Sequence, residues 1–179
     1  TVDAASTDNT PPTANDDSIS ADEDTPLSIS VEKLLVNDTD AEGERLVLTD
    51  FTQPSHGNLL DHGDGTLLFT PEPNFSGTDR FIYTISDVNG GTDAATVNIM
   101  IHPINDAPVG NDDSLSADEG RPLIITFEEL LLNDTDIEGD ILTLTDFTQP
   151  SHGELVDNDD GTFLFTPEAD FSGEDRFIC

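Results

Sequence analysis

The sequence predicts an all-β protein of two tandem β-sandwich units, the second truncated. The chain repeats itself at a constant offset of 96 residues. Within a repeat, apolar and polar residues alternate over short runs bounded by Pro, Gly, Asn and Asp, the period of half-buried strands. About seven such strands at regular spacing suit a Greek-key sandwich of the immunoglobulin-like kind.

The repeat keeps its register throughout. Asn15-Asp16-Asp17-Ser18 recurs as Asn111-Asp112-Asp113-Ser114, and Asn37-Asp38-Thr39-Asp40 as Asn133-Asp134-Thr135-Asp136. Thr49 to Gly57 recurs unchanged as Thr145 to Gly153, and Asp79-Arg80-Phe81-Ile82 as Asp175-Arg176-Phe177-Ile178. The expected division is residues 1–11 as a linker or the end of a preceding repeat, 12–107 as repeat 1, and 108–179 as an incomplete repeat 2. Pro11-Pro12 and Asn105-Asp106-Ala107-Pro108 mark short, stiff junctions, because proline fixes its own φ and restrains the residue before it.

Inside repeat 1, Leu27, Ile29 and Val31 alternate with polar residues, as do Leu46, Leu48 and Phe51. Further strands are expected at Asn58 to Asp61, Thr66 to Thr70, Arg80 to Ser86 and Ala94 to Ile101. Pro54-Ser55-His56-Gly57, Asp64-Gly65 and Asn89-Gly90-Gly91 supply turns between them. Val31 to Val36 is expected to form one helical turn. Phe51, Phe69, Phe75 and Phe81 return as Phe147, Phe165, Phe171 and Phe177, as core positions of a repeated fold would.

Charge narrows the partners. The 179 residues carry 39 Asp and Glu against 5 Lys and Arg, a formal net charge of −34, which argues against nucleic acid and anionic membrane. So much like charge opposes compaction unless cations neutralise it, which makes divalent cations the first partner to consider. Such acidity often accompanies disorder, but the alternating apolar runs oppose that reading here. Cys179 is the single cysteine, so neither an intrachain disulfide nor a cysteine-based zinc site is available. No run approaches the length of a membrane span, and no basic-then-apolar signal segment opens the chain.

Many carboxylates gather where strands end. The sharpest cluster is Asp38-x-Asp40-x-Glu42-Gly43, repeated as Asp134-x-Asp136-x-Glu138-Gly139. Alternating oxygen ligands followed by glycine suit a tight loop around Ca²⁺, which takes about 6–8 oxygens. It is not an EF-hand, because the twelfth loop position is Thr49 or Thr145 where that motif has Glu. A solvated acidic turn explains such a motif equally well, so its neighbours matter: Asp22-Glu23-Asp24, Asp79, Asp87 and Asn105-Asp106 also fall at strand ends or between units.

From about Pro12 onward the chain resembles the cadherin-like tandem repeats of giant bacterial adhesins and repeats-in-toxin surface proteins. The features of that resemblance are Glu23 near the first strand, the Asp38/Asp40 loop, the Asp79-Arg80 pair, Asp87 before Asn89-Gly90, and the Asn105-Asp106-Ala107-Pro108 linker. The resemblance implies a Ca²⁺ site at the junction, drawing Glu23, Asp79 and Asp87 from repeat 1, Asn105 and Asp106 from the linker, and Asp134 with Asp136 from repeat 2. Phe81 departs from the pattern, since cadherins place glutamate after the Asp-Arg pair. At the N-terminal junction Asn9 keeps its place, while Thr10 stands where Asp106 does.

Other residues read more plainly. His56 and His152 occupy the repeated Gln-Pro-Ser-His-Gly turn, and their recurrence beside Ser55 and Ser151 suits scaffolding better than one active site. Asn37, Asn74 and Asn133 begin N-x-[ST] sequons, which in a bacterial protein would ordinarily carry no glycan. The expectation is therefore no enzyme, but a Ca²⁺-rigidified extender of a large extracellular or bacterial cell-surface adhesin, in contact with adjacent repeats of the same long chain. The alternatives are an adhesion module that binds polysaccharide or another copy of itself, and an accessory domain of a secreted enzyme.

Overall fold

A computed structural model describes residues 8–179 and divides the chain into two compact units, one up to Ile104 and one from Asn105 to Cys179. Residues 1–7 of the expected N-terminal linker lie outside the described residues.

Unit 1 is built from β1 (Asp17–Asp22), β2 (Leu27–Ser30), α1 (Val31–Leu34), β3 (Val47–Phe51), β4 (Gly57–Asp61), β5 (Thr66–Pro71), β6 (Gly77–Ser86) and β7 (Thr92–His102). A 3₁₀ turn over Leu35–Asn37 extends α1, so the single helical turn expected from Val31 is present. The strands form a four-stranded sheet in the order β1-β7-β6-β3 and a three-stranded sheet in the order β2-β5-β4. All neighbours are antiparallel except β1 and β7, which run parallel with Asp17 opposite Val97 and Asp22 opposite His102.

Alternation explains the core. On β6 Phe81, Tyr83 and Ile85 point inward, on β7 Ala95, Val97, Ile99 and Ile101 do so, and from the other sheet Ile29, Leu59, Leu67 and Phe69 meet them. Each fully buried large side chain contributes about 1.5–3 kcal/mol, so this one cluster dominates the stability of unit 1. Strand β1 was not among the runs singled out by alternation, because Asp17-Ser18-Ile19-Ser20-Ala21-Asp22 offers only Ile19 and Ala21 to the interior.

Unit 2 contains β8 (Leu123–Thr126), α2 (Phe127–Leu130), β9 (Gly153–Asp157) and β10 (Thr162–Pro167), in one sheet of order β8-β10-β9. Its register copies that of β2-β5-β4: Leu27 faces Phe69, and Leu123 faces Phe165. Helix α2 opens with a capping box, in which Thr126 Oγ1 accepts from the Glu129 amide and the Glu129 carboxylate accepts from the Thr126 amide. Among the described residues the four-stranded sheet has no counterpart in unit 2.

The linker Asn105-Asp106-Ala107, assigned by the repeat pattern to the end of repeat 1, falls with unit 2. Hydrogen bonding gives the reason. The Asp106 amide donates to the Glu138 carboxylate, and Val109 and Thr135 exchange backbone hydrogen bonds.

Candidate metal centre

The Asp40 loop is shaped by its own backbone. Asp40 Oδ1 accepts from the amides of Glu42 at 2.9 Å and Glu44 at 3.0 Å, and Gly43 takes φ +77°, where a side chain would be strained. Asp87 organises the β6–β7 turn: its Oδ1 accepts from the amides of Asn89 and Gly91, both at 2.8 Å, and its Oδ2 accepts from Asn9 Nδ2 at 3.0 Å. Asn89 Nδ2 also donates to Glu44 Oε1, which brings the two turns together.

The result is a cluster in which one ligand oxygen each from Asp40, Glu44 and Asp87 lie within 4.8 Å of one another. Asp40 Oδ2 and Glu44 Oε2 are buried and have no hydrogen-bond partner. Desolvation, then the neighbouring Asp40, Asp87 and Glu42 carboxylates, push the Glu44 carboxyl above its ordinary range. Burial pushes the Asp87 carboxyl up, but the hydrogen bonds from Asn9, Gly91 and Asn89 outweigh it and hold the group below the usual value. Gly91 leaves the room this needs, since a Cβ there would meet the Asp87 carboxylate and lie 2.8 Å from Pro11 Cα.

A metal ion fits this cluster on the chemistry of its donors. They are all oxygens, at least two are buried and unsatisfied, and a hard divalent cation satisfies such a set where protons or amides do not. Glu42 sits beside it, its carboxylate tied to the Thr10 amide at 3.3 Å and the Thr10 hydroxyl at 3.0 Å. Glu44 escaped the sequence reading, although the signal was present: the residue after Gly43 and the one after Gly139 are both acidic, Glu44 and Asp140.

The structure separates residues that the resemblance had placed together. Asp79 lies near the start of β6 and Asp87 just past its end, so on the order of 26 Å of strand divides them at about 3.3 Å per residue. Asp87 thus groups with Asp40 and not with Glu23 and Asp79. Those two belong to the opposite end of unit 1, where Glu23, only 2% exposed, accepts from the Ile104 amide at 2.7 Å. The Asp79 carboxylate receives three backbone amides, from Ser55 at 3.0 Å, His56 at 2.7 Å and Arg80 at 2.8 Å, and so serves as the clasp of the Pro54 to Gly57 turn.

Asp38 is also turned away from the cluster. It is buried, accepting from the Asn15 amide at 2.8 Å and, through both oxygens, from the Tyr83 hydroxyl at 3.1 Å. Burial, then the Asp17 and Asp38 carboxylates, raise the Tyr83 pKa far beyond the ordinary tyrosine range, so the hydroxyl stays a donor. The spacing D-x-D hides this division of labour: Asp38 anchors the core and Asp40 faces the ligand oxygens.

Unit 2 rebuilds part of the arrangement. Asp136 Oδ1 accepts from the amides of Glu138 and Asp140, at 3.1 and 3.0 Å, and Asp134 accepts from the Asn111 amide at 2.7 Å. Asn105 Nδ2 donates to the Asp106 carbonyl, and Asp106 Oδ2 is buried without a partner. Among the described residues unit 2 shows no counterpart of Asp87, and Cys179 stands where Tyr83 does. Burial, then Asp113 and Asp134, raise the Cys179 thiol pKa.

The histidine turns are structural in form. The His56 ring stacks on Phe75 at 3.9 Å with its plane nearly parallel, and His152 stacks on Phe171 at 4.1 Å. No helix among the described residues is long and apolar enough to cross a membrane.

Two facing sheets with acidic turns at their ends define a β-sandwich repeat module of the adhesion type. The cadherin-like domain family matches residues 8–102 and again residues 104–178, and the chain belongs to that family. A curated relative, Protein GAMETE EXPRESSED 2 of Arabidopsis thaliana, is 46% identical over 91 residues, which are 50% of this chain and 9% of that protein. Among solved structures, the extracellular cadherin domains 1–5 of Protocadherin Gamma B2 align over 92% of this chain and 33% of theirs, at 16% identity and a TM-score of 0.44. An endo-fucoidan hydrolase of glycoside hydrolase family 107 aligns over 88% of this chain and 24% of its own, at 18% identity and a TM-score of 0.39. Neither structural likeness carries a functional argument at that level.

Proposed function

We propose that this chain is a Ca²⁺-binding spacer: a pair of repeats in a longer extracellular chain, stiffened by ions at the ends of the units and without catalytic activity. The supporting observation is the Asp40, Glu44 and Asp87 cluster, whose oxygens converge within 4.8 Å and include two that are buried without a partner. Asp40, Glu44 and Asp87 would hold the ion, with Glu42 and Asn9 at its margin, and Asp106, Asp136 and Glu138 would begin the matching site of unit 2. An ion there supplies positive charge among acids that otherwise repel.

Stiffness follows from which segments the site joins. Asn9 and Thr10, which lead into unit 1, are hydrogen-bonded to Asp87 and Glu42. An ion that draws Asp40, Glu44 and Asp87 together therefore also restrains the entering segment. The non-catalytic reading is supported by the recurrence of the same ring stack in both units, His56 on Phe75 and His152 on Phe171, in turns that Asp79 and Asp175 clasp.

The test is calorimetric titration with Ca²⁺ together with small-angle scattering in Ca²⁺ and in chelator. Saturable binding that Glu44→Gln and Asp40→Asn weaken, with a loosened profile in chelator, is the expected result. Identical heats and profiles in the two conditions would reduce the cluster to a solvated acidic surface.

A further inference from the structure

We propose that Asn74, alone among the three sequons, is an acceptor for an N-linked oligosaccharide. The inference rests on the export part of the reading above and not on its Ca²⁺ part. The motif is necessary for such transfer but says nothing about accommodation in the fold, and here the three asparagines differ sharply.

Asn37 is fully committed. Its Nδ2 donates to the carbonyls of Asn15 and Asp16, each at 3.2 Å, and to Asp17 Oδ1 at 3.3 Å, while Asn15 Nδ2 returns a bond to the Asn37 carbonyl at 2.8 Å. A sugar on that nitrogen leaves it one hydrogen and breaks the clasp that holds the segment before β1 against the end of α1. Asn133 repeats the arrangement, its Nδ2 donating to the Asp112 carbonyl at 3.2 Å and its carbonyl accepting from Asn111 Nδ2 at 2.8 Å.

Asn74 is different in each respect. It is exposed on the connection between β5 and β6, at φ +57°, and its side-chain amide makes no hydrogen bond among the described residues. Its backbone amide donates to Asp24 Oδ1 at 3.0 Å, which fixes the turn while leaving the side chain in solvent. Phe75, the middle residue of the sequon, is anchored by the His56 stack, and Ser76 is exposed. Tripeptide ends therefore face outward from a fixed centre. The site lies at the start of β6, whereas Asp87 follows its end, so a glycan there leaves the acidic cluster open.

The transfer balances with a polyisoprenyl-diphosphate-linked oligosaccharide as donor. The Asn74 Nδ2 forms a bond to C1 of the first sugar, the bond from that carbon to the diphosphate oxygen breaks, the amide loses one proton, and the lipid diphosphate leaves. Unit 2 offers a built-in control: Asp170-Phe171-Ser172 occupies the same turn, with φ +61° at Asp170 and Phe171 stacked on His152, but with a residue that cannot accept the sugar.

The experiment expresses the full chain behind a secretion signal in a eukaryotic host and measures the intact mass of the folded, secreted protein before and after glycosidase. One glycan is expected. It should vanish in Asn74→Gln and in Ser76→Ala, persist in Thr39→Ala and Thr135→Ala, and become two in Asp170→Asn. A wild-type mass without glycan, a loss of glycan in Thr39→Ala or Thr135→Ala, or a single glycan in Asp170→Asn would overturn the proposal. Ca²⁺ titration of the same samples separates the two ideas, since loss of Ca²⁺ binding with the glycan retained would sink only the metal reading.

Discussion

Units 1 and 2 have nearly the same sequence pattern, and they differ in how much of the sandwich that pattern builds. The sheet β2-β5-β4 of unit 1 is reproduced by β8-β10-β9 in unit 2, with the same register and the same supporting clasp: Gln53 exchanges two hydrogen bonds with Leu59, both at 2.8 Å, and Gln149 does so with Leu155 at 2.7 and 2.8 Å. Strands β1 and β3 have no such copies. Thr49-Asp50-Phe51 is strand, whereas Thr145-Asp146-Phe147, the same three residues, is not. Strand β3 pairs with β6 and β1 pairs with β7, so both depend on strands that, among the described residues, unit 1 forms and unit 2 does not. A strand is a property of a pair, and without a partner strand to bond these segments do not settle into one, however their apolar residues alternate.

The largest effect should come from giving unit 1 the residue of unit 2. Tyr83→Cys empties a fully buried site and leaves the buried Asp38 without its hydroxyl donor. A loss of about 3–5 kcal/mol is expected, on the scale of truncating a buried aromatic. Denaturant unfolding of unit 1 measures it, and a loss below about 1 kcal/mol would mean that the Tyr83 clasp is not what distinguishes the units. Hydrogen exchange gives the same contrast in the unaltered chain. Amides of β6 and β7 should outlast those of β9 and β10, and equal protection would erase the comparison.

Next in size is the response to Ca²⁺. A ligand that binds only the folded state stabilises it by about 2.7 kcal/mol at a hundredfold excess over Kd. Unit 1 should show this shift and lose it in Asp40→Asn. Unit 2, whose described residues hold no counterpart of Asp87, should shift less in this 179-residue chain, and Asp136→Asn should change less than Asp40→Asn. Scanning calorimetry in Ca²⁺, Mg²⁺ and chelator is the measurement, with Mg²⁺ a poor substitute because it requires a smaller octahedral site. Equal shifts in both units would remove Asp87 from the site.

The smallest expected effect is on pH dependence, and it has opposite signs in the two units. Burial first, and then the Asp38 and Asp16 carboxylates, raise the Asp17 carboxyl of unit 1 against the lowering hydrogen bonds from Tyr83 and Asn37. Its contribution is therefore fully present below the ordinary value near 3.8 and is lost as pH rises through the raised folded-state value. In unit 2, burial raises the Asp175 carboxyl but is outweighed by the amides of His152, Ser151 and Arg176, so the group lies below 3.8. Its contribution is present above that value and is lost as pH falls through the lowered one. Local exchange of the Ser151 and His152 amides in unit 2 should accelerate in acid, and Asp175→Asn should abolish that acid response.

Much of this was legible in the residues. The 96-residue offset, the strand alternation and the turn signals located β2 to β7, because each rests on local chemistry: side-chain period, proline and glycine punctuation, and the short apolar runs between. The acidic loop at Asp40 was legible for the same reason. Glu44 was overlooked because the motif was read as ending at its glycine, and the bond of Asp38 to Tyr83 was not legible because a carboxylate that caps the core looks identical in sequence to one that faces solvent.

The sequence by itself determined the repeat, the all-β class, the absence of a disulfide framework and the abundance of oxygen ligands, since these depend on composition and on neighbours within a few residues. Only the tertiary structure decided which acids meet. Asp40, Glu44 and Asp87 are brought together by the return of β6 to the Asp40 loop, while Asp79, only eight positions before Asp87, is carried to the other end by the length of the same strand. Physical proximity across a sandwich is set by strand length and register, and neither is written in any single residue.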